Sequence, residues 1–219
     1  MISQTFLTAP TDHAPFSPSQ PMWLRYSDEE LINSFKNKHR SELGTEIHEW
    51  ASGRINLGAR VTSAAEALKD VKYHIYLKYA KAIAYKDILL KNLEYVPDEV
   101  WPTAKDFIND SIGFRMESEK RIGYSDLFWG TADAIKHDGK NIMVFDLKTG
   151  IRPAKTEQLL IYAALFCLMD NINPLGKKFE TRIYQGNDIL IEYPEAEEIK
   201  EIANAIVHKD QIINKFMGE

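Results

Sequence analysis

At about Gly113 the hydrophobic pattern of this chain changes its period, and that change limits the folds open to it. Upstream, apolar residues recur at helical spacing, as in Leu43, Ile47, Trp50 and Ala51. Downstream, β-rich runs at 113–122, 128–136 and 141–147 are separated by turn signals around 123–126 and at Asp138-Gly139, the pattern of a three-stranded meander. A helix over 155–169 follows, then strands over 179–184 and 188–193 divided by Gly186-Asn187, then a closing amphipathic helix over 195–216. The expected class is therefore α/β, with helices flanking a central sheet.

The first half reads as helical after an irregular start. Pro10, Pro15, Pro18 and Pro21 make residues 1–26 an extended, proline-rich arm. Ser27 with Glu30, and Ser63 with Glu66, are capping-box pairs that open helices. The spacing predicts helices over 28–37 and 43–54, then one long or two shorter helices reaching 93, with Pro97 and Pro102 ending that region. Residues 27–219 are expected to form a single domain that contains a helical elaboration at about 57–110.

A chain of 219 residues that is 44% hydrophobic can bury a substantial core. Its single cysteine, Cys167, excludes an internal disulfide framework and a four-cysteine zinc or iron-sulfur site, which fits a reducing, cytoplasmic setting. The apolar run 159–169 is too short to span a bilayer, so a soluble protein with no membrane partner is expected. The net charge of −5 argues against nucleic acid as a partner only weakly, because the basic residues gather at Lys36, Lys38 and Arg40, at Lys120 and Arg121, and at Lys148, Arg152 and Lys155.

Chemistry concentrates in two segments. Gly130-Thr131-Ala132-Asp133-Ala134-Ile135 carries one carboxylate, and Val144-Phe145-Asp146-Leu147-Lys148-Thr149-Gly150 carries a second with a lysine. Side chains alternate across a strand, so Asp146 and Lys148 are expected on one face and Leu147 on the other. A charged pair in so apolar a strand costs desolvation energy unless it is used or paired. Hard oxygen ligands such as Asp133, Asp146 and the Leu147 carbonyl suit Mg²⁺, with Mn²⁺ able to substitute. Lys148 is placed to orient or deprotonate a water, or to stabilise charge developing on a phosphoryl group. Gln158 and Tyr162, four residues apart, share a helix face just beyond the lysine strand.

These segments resemble, in order and in content, the motifs of the PD-(D/E)xK nuclease superfamily, in its RecB-type and phage-type exonuclease branch. Gly44-Thr45-Glu46-Ile47-His48-Glu49 resembles the N-terminal histidine motif, Gly130 to Ile135 the first acidic motif, Phe145 to Gly150 the second acid with its lysine, and Gln158 with Tyr162 the downstream glutamine-tyrosine motif. The resemblance spans 44–184 and implies a restriction-endonuclease-like core of order αβββαβ, with the helical region as an addition. It makes His48 a further metal ligand and Glu119 an acidic site position, a role that Glu117, two residues away, could also fill. Arg152 and Lys155 are expected to meet DNA phosphates. Two features depart from the branch: one cysteine cannot build the iron-sulfur cluster of some relatives, and the second acid is aspartate where many have glutamate.

The activity so implied is a Mg²⁺-dependent DNA exonuclease acting at strand ends in recombination, repair or phage DNA processing, inside a bacterial or phage-infected cell. A structure-specific or restriction-type endonuclease on the same core is the alternative enzyme. A DNA-binding or nuclease-regulating subunit without turnover is the alternative of another class. No phosphate-binding loop of the helicase kind is present, so unwinding would fall to a partner protein. The proline-rich arm is a candidate contact in a homo-oligomer.

Overall fold

The computed structural model describes residues 16, 18, 21–151 and 153–218. Its architecture is α/β, with one mixed five-stranded sheet between two helical layers. The helices are α1 (Asp28–Asn56), α2 (Ala64–Lys78), α3 (Ile83–Asn92), α4 (Val100–Phe114), α5 (Glu157–Met169) and α6 (Ala196–Met217). The strands are β1 (Glu117–Gly123), β2 (Trp129–His137), β3 (Asn141–Leu147), β4 (Lys178–Gln185) and β5 (Asp188–Glu192). Spatial order follows chain order: β1, β2 and β3 form an antiparallel meander, β4 lies parallel to β3, and β5 returns antiparallel at the far edge. The parallel step requires a crossover, which α5 supplies.

α1 begins where the capping box predicts. The Ser27 hydroxyl accepts the Glu30 N–H, and the Glu30 carboxylate accepts the Ser27 N–H at 2.8 Å. The helix then runs unbroken for 29 residues, where two separate helices were expected. Residues 38–42 lack the apolar spacing, but they contain neither proline nor glycine to end a helix, and His39 fills the core position, packed edge-on against Phe35. Residues 64–92 resolve into two helices, and Ser63 caps the first of them by accepting the Glu66 N–H.

α4 overturns a second expectation. Pro102 is its third residue, within the first turn, where a backbone N–H has no intrahelical partner to lose. The helix carries through Gly113 and stops at Arg115, whose φ of 57° is left-handed, so β1 starts at Glu117 rather than at 113. At the end of the proline-rich arm Pro21–Arg25 form a 3-10 turn rather than extended chain; most of the arm's residues lie outside those described.

The two faces of the sheet carry separate apolar clusters. Helices α1 to α4 pack on one face against Ala134, Phe145, Leu147 and Tyr184. α5 and α6 pack on the other against Ile122, Ala132, Ile135, Ile142, Val144, Phe179 and Ile183. β3 alternates between them as a strand buried on both sides must, with Ile142 and Val144 toward α5 and Phe145 and Leu147 toward α1. No helix among the described residues is long and apolar enough to cross a membrane.

Close approaches at Gly130 and Gly44 need glycine. A Cβ at Gly130 would stand 2.8 Å from Tyr162 Cε1, so the bare backbone of β2 forms the seat of the Tyr162 ring on α5. A Cβ at Gly44 would stand 2.9 Å from Thr149 Oγ1, so α1 touches the end of β3 through its own backbone. Gly130→Ala is expected to destabilise the protein by about 1–3 kcal/mol through overpacking. The loss should shrink when the same change is made in a Tyr162→Ala background. Urea denaturation of both single variants and the double variant checks this, and purely additive losses would contradict the contact.

Candidate metal centre and its cleft

Alternation fails at one point in each of the first two strands. Ser118 Oγ lies 2.9 Å from Ser52 Oγ on α1, yet Lys120, two residues on, sits over the Phe166 ring of α5 at 5.1 Å. In β2, Ala132 belongs to the α5 cluster and Ala134 to the α1 cluster. Residues i and i+2 of a regular strand share a face, so both strands turn over between these positions. The residues at the turnover are Glu119, whose φ of 49° is left-handed, and Asp133, both skipped by the register between the pair Ser118 with Ala134 and the pair Lys120 with Ala132. Left-handed backbone at a glutamate costs free energy that the surrounding packing must offset, and such positions gather at functional sites.

The β2–β3 ladder ends at the same level. Its last pair is Ala134 with Phe145, and beyond it the Leu147 N–H donates to Asp133 Oδ2 at 2.8 Å. A side chain thus takes the place of a backbone acceptor, and the two strands part. On the other side of β3 the Lys148 N–H still donates to the Tyr184 carbonyl, which keeps β3 seated on β4. Backbone groups alternate in direction along a strand, so the Leu147 carbonyl lies on the same edge as its N–H, toward Asp133.

Into this opening come groups from both layers. His48, on α1, places Nδ1 3.3 Å from Asp133 Oδ2. Asp146 and Lys148 point toward α5, as expected from alternation, and Lys148 Nζ donates to Asp146 Oδ1 at 3.0 Å and to Gln158 Oε1 at 3.1 Å. The Gln158 amide in turn donates to the Tyr162 hydroxyl at 2.9 Å. Asp146, Lys148, Gln158 and Tyr162 therefore form one continuous hydrogen-bonded chain from β3 to α5. Glu117, by contrast, points out to solvent and pairs with Lys120 at 2.9 Å, so the turnover at Glu119 separates the two glutamates that were expected to share a face. Lys155 is exposed on the loop before α5 and does not line the cleft, and Arg152 lies outside the described residues.

An open cleft of about 1180 Å³ lies over the centre. His48, Glu119, Asp133 and Lys148 line it, with Asn37, Arg40, Ser41 and Thr45 on the α1 wall and Thr149, Gly150 and Ile151 on the opposite rim. Of the α1 wall, Asn37 and Ser41 were not among the expected site residues, whereas Arg40 lay in a basic cluster and Thr45 in the histidine motif. The wall's signal was present as polar residues at positions 37, 41, 45, 48 and 52, which lie three or four apart and so share a helix face.

The electrostatics are those of too much negative charge in too little water. Burial, and then the Asp133 charge, push the Asp146 carboxyl up to about 6, against the pull of Lys148 and His48. Burial and Asp133 likewise raise Glu119. Burial disfavours the His48 cation, but the Asp133 hydrogen bond and the charges of Asp133, Asp146 and Glu119 outweigh it and raise its pKa.

Among the described residues, two groups could hold a metal ion. The ligand atoms of His48, Glu119 and Asp133 lie within 4.8 Å of one another, and all three residues line the cleft. Beside them Asp146 Oδ2 is buried with no hydrogen bond, although Lys148 Nζ stands 2.9 Å away outside bonding geometry. A buried carboxylate beside two further acids, with the Lys148 ammonium as its nearest counter-charge, fits a cation. The second group, Glu46, Glu49 and His74, differs. Glu46 already accepts from Tyr79 at 2.7 Å, Lys78 at 3.0 Å and His74 at 3.2 Å, and so braces α2 against α1.

No protein-family model matches the chain, and neither a curated protein nor a solved structure matches it.

The raised Asp146 carboxyl has a consequence for stability in metal-free solution. Its pKa in the fold lies above the unfolded value, so the native state holds the extra proton between about pH 4 and 6, and stability falls as pH rises through that window. Asp146→Asn is therefore expected to stabilise the metal-free protein at pH 8, by on the order of 1 kcal/mol after the lost Lys148 pair is counted, and to do so less at pH 4.5. Urea titrations in EDTA at both pH values check it. A variant less stable than the parent at pH 8 would contradict the assignment.

Proposed function

We propose that this chain is a metal-dependent nuclease of the PD-(D/E)xK superfamily that hydrolyses phosphodiester bonds at DNA ends. One observation carries the reading: Glu119 and Asp133, from two adjacent strands, meet His48 of α1 in the lining of an open cleft, and Lys148, which also lines it, holds the buried Asp146 of the third strand. The order α1, β1, β2, β3, α5, β4, with the meander antiparallel and β4 parallel to β3, supports a restriction-endonuclease-like core. α2, α3 and α4 are then the added helical region.

Asp133, Asp146, Glu119 and the Leu147 carbonyl offer hard oxygens suited to Mg²⁺, and His48 adds a nitrogen that Mn²⁺ accepts more readily. Bound there, the ion supplies positive charge against the phosphate and Lewis-acid polarisation. The chain's own contribution centres on Lys148. An ammonium has three N–H groups, of which Asp146 and Gln158 engage two, and the third remains for a phosphoryl oxygen or the attacking water. A lysine held between two acceptors acts as a donor that stabilises developing charge rather than as a base. Tyr162 takes one end of the Gln158 amide, so the other end presents its oxygen to Lys148. Gln158 and Tyr162 are positioning residues in this scheme. His48, through Asp133, ties the acids to the α1 wall along which the substrate would lie.

The test is digestion of end-labelled linear duplex, linear single strand and closed circular DNA with Mg²⁺ or Mn²⁺. Linear substrates alone should be degraded, and Lys148→Ala should slow the reaction on the order of 10²-fold. Cleavage of closed circles would make the enzyme an endonuclease on the same core. A wild-type protein inactive with either ion on every substrate would overturn the nuclease reading.

A further inference from the structure

The hairpin of β1 and β2 continues past the catalytic acids, and its next residues carry a surface that the chemistry above does not use. Gly130 lies against Tyr162 of α5, and Ile122 and Ala132 are packed in the α5 cluster. The intervening residues Arg121, Trp129 and Thr131 therefore face the side of the sheet on which the cleft opens. The Arg121 guanidinium stacks over the Trp129 indole, 4.2 Å from the ring centre. They are diagonal neighbours across the strands, Arg121 standing opposite Thr131 and Gly123 opposite Trp129.

Three features separate this pair from ordinary surface side chains. Trp129 is 52% exposed, while Trp50 and Trp101 are 6% and 5% exposed in the core, so a large apolar ring is held in water where burial was not achieved. Gly123 leaves space for it, because a Cβ there would stand 2.6 Å from Trp129 Cβ. Arg121 is exposed and stacks on the ring, and among the described residues no carboxylate forms an ion pair with it, in a chain of net charge −5. Location adds the rest: Arg121 is two residues from Glu119 and Trp129 four from Asp133, on the same two strands, so the platform begins about 13 Å or less from the metal centre.

A flat aromatic face beside a cation is the recognition chemistry of an unpaired nucleotide, whose base stacks and whose phosphate meets the charge. Paired bases inside a duplex cannot offer that face. We propose that Trp129 and Arg121 form a stacking platform for an unpaired base flanking the scissile phosphate, which makes a single-stranded segment the preferred substrate of this site. The proposal rests on the nuclease reading and names the strand state that it leaves open.

The experiment uses the full chain in EDTA, so that binding is read without turnover. A labelled oligothymidylate and a blunt duplex of equal length are titrated by anisotropy, and the intrinsic tryptophan emission is followed alongside. Wild type should bind the single strand with quenching of tryptophan emission. Trp129→Ala should weaken that binding about tenfold or more and remove most of the quenching, with duplex binding changed less than twofold. Trp129→Phe should retain most of the affinity, since a ring remains, and so separates stacking from any loss of folded protein. Equal single-strand affinity in wild type and Trp129→Ala, or an equal loss on duplex, would overturn the platform. Hydrolysis by both proteins with Mg²⁺ in that case would leave the nuclease reading standing. Absence of hydrolysis by wild type would remove that reading and the platform's role in it together.

Discussion

Everything at this centre depends on the Asp133 carboxylate accepting the Leu147 N–H. In an unbroken sheet that N–H would be satisfied by the backbone of β2, and the two strands would stay closed. Because a side chain takes the bond, the strands part after Ala134 and Phe145 without leaving a buried donor unpaired. The opening lets His48 approach from the α1 layer while Asp146 and Lys148 approach from the α5 layer. A sheet that was regular to its end would keep those groups on opposite faces with its backbone between them.

The site is also costly, and the cost is visible. Burial and the Asp133 charge raise Glu119 and Asp146, Glu119 adopts left-handed backbone, and one oxygen of Asp146 faces Lys148 without a well-aligned hydrogen bond. Burial of like charge at such density destabilises a fold in the absence of a counter-charge, and Lys148 supplies only part of it. The surrounding structure is correspondingly over-determined. Gly44 lets α1 touch Thr149, Gly130 seats Tyr162, and Glu46 braces α1 through three donors on α2 and its C-terminal turn. The helical region between α1 and the sheet thus has a mechanical part in holding the histidine helix in place.

Several elements could be read directly from the residues. The strand carrying Asp146 and Lys148 was legible because alternation is a local property of an extended chain, and its boundaries at Asn141 and Leu147 match the expectation. The Ser27 cap and the approximate spans of α5, β4, β5 and α6 were legible for the same reason: each is announced within a few residues. α4 was not, although Trp101, Ala104, Phe107, Ile108 and Ser111 carry a helical period, because a proline reads by type alone as the end of a helical region, whereas Pro102 sits in a first turn that tolerates it. The unity of α1 was hidden because its middle turn is buried through His39, a residue that is not counted among apolar positions.

By itself the sequence determined which residues could do chemistry and which of them share a face on one element, since both follow from side-chain type and from periods of 2 and 3.6. Only the tertiary structure decided which of those faces meet. Glu119 rather than Glu117 joins the acids because two strands turn over together at one level, where the register skips a residue on each, and Lys155 stays outside the cleft because of the path of a loop. No local period encodes either event, because each depends on backbone that is held by residues far away in the chain.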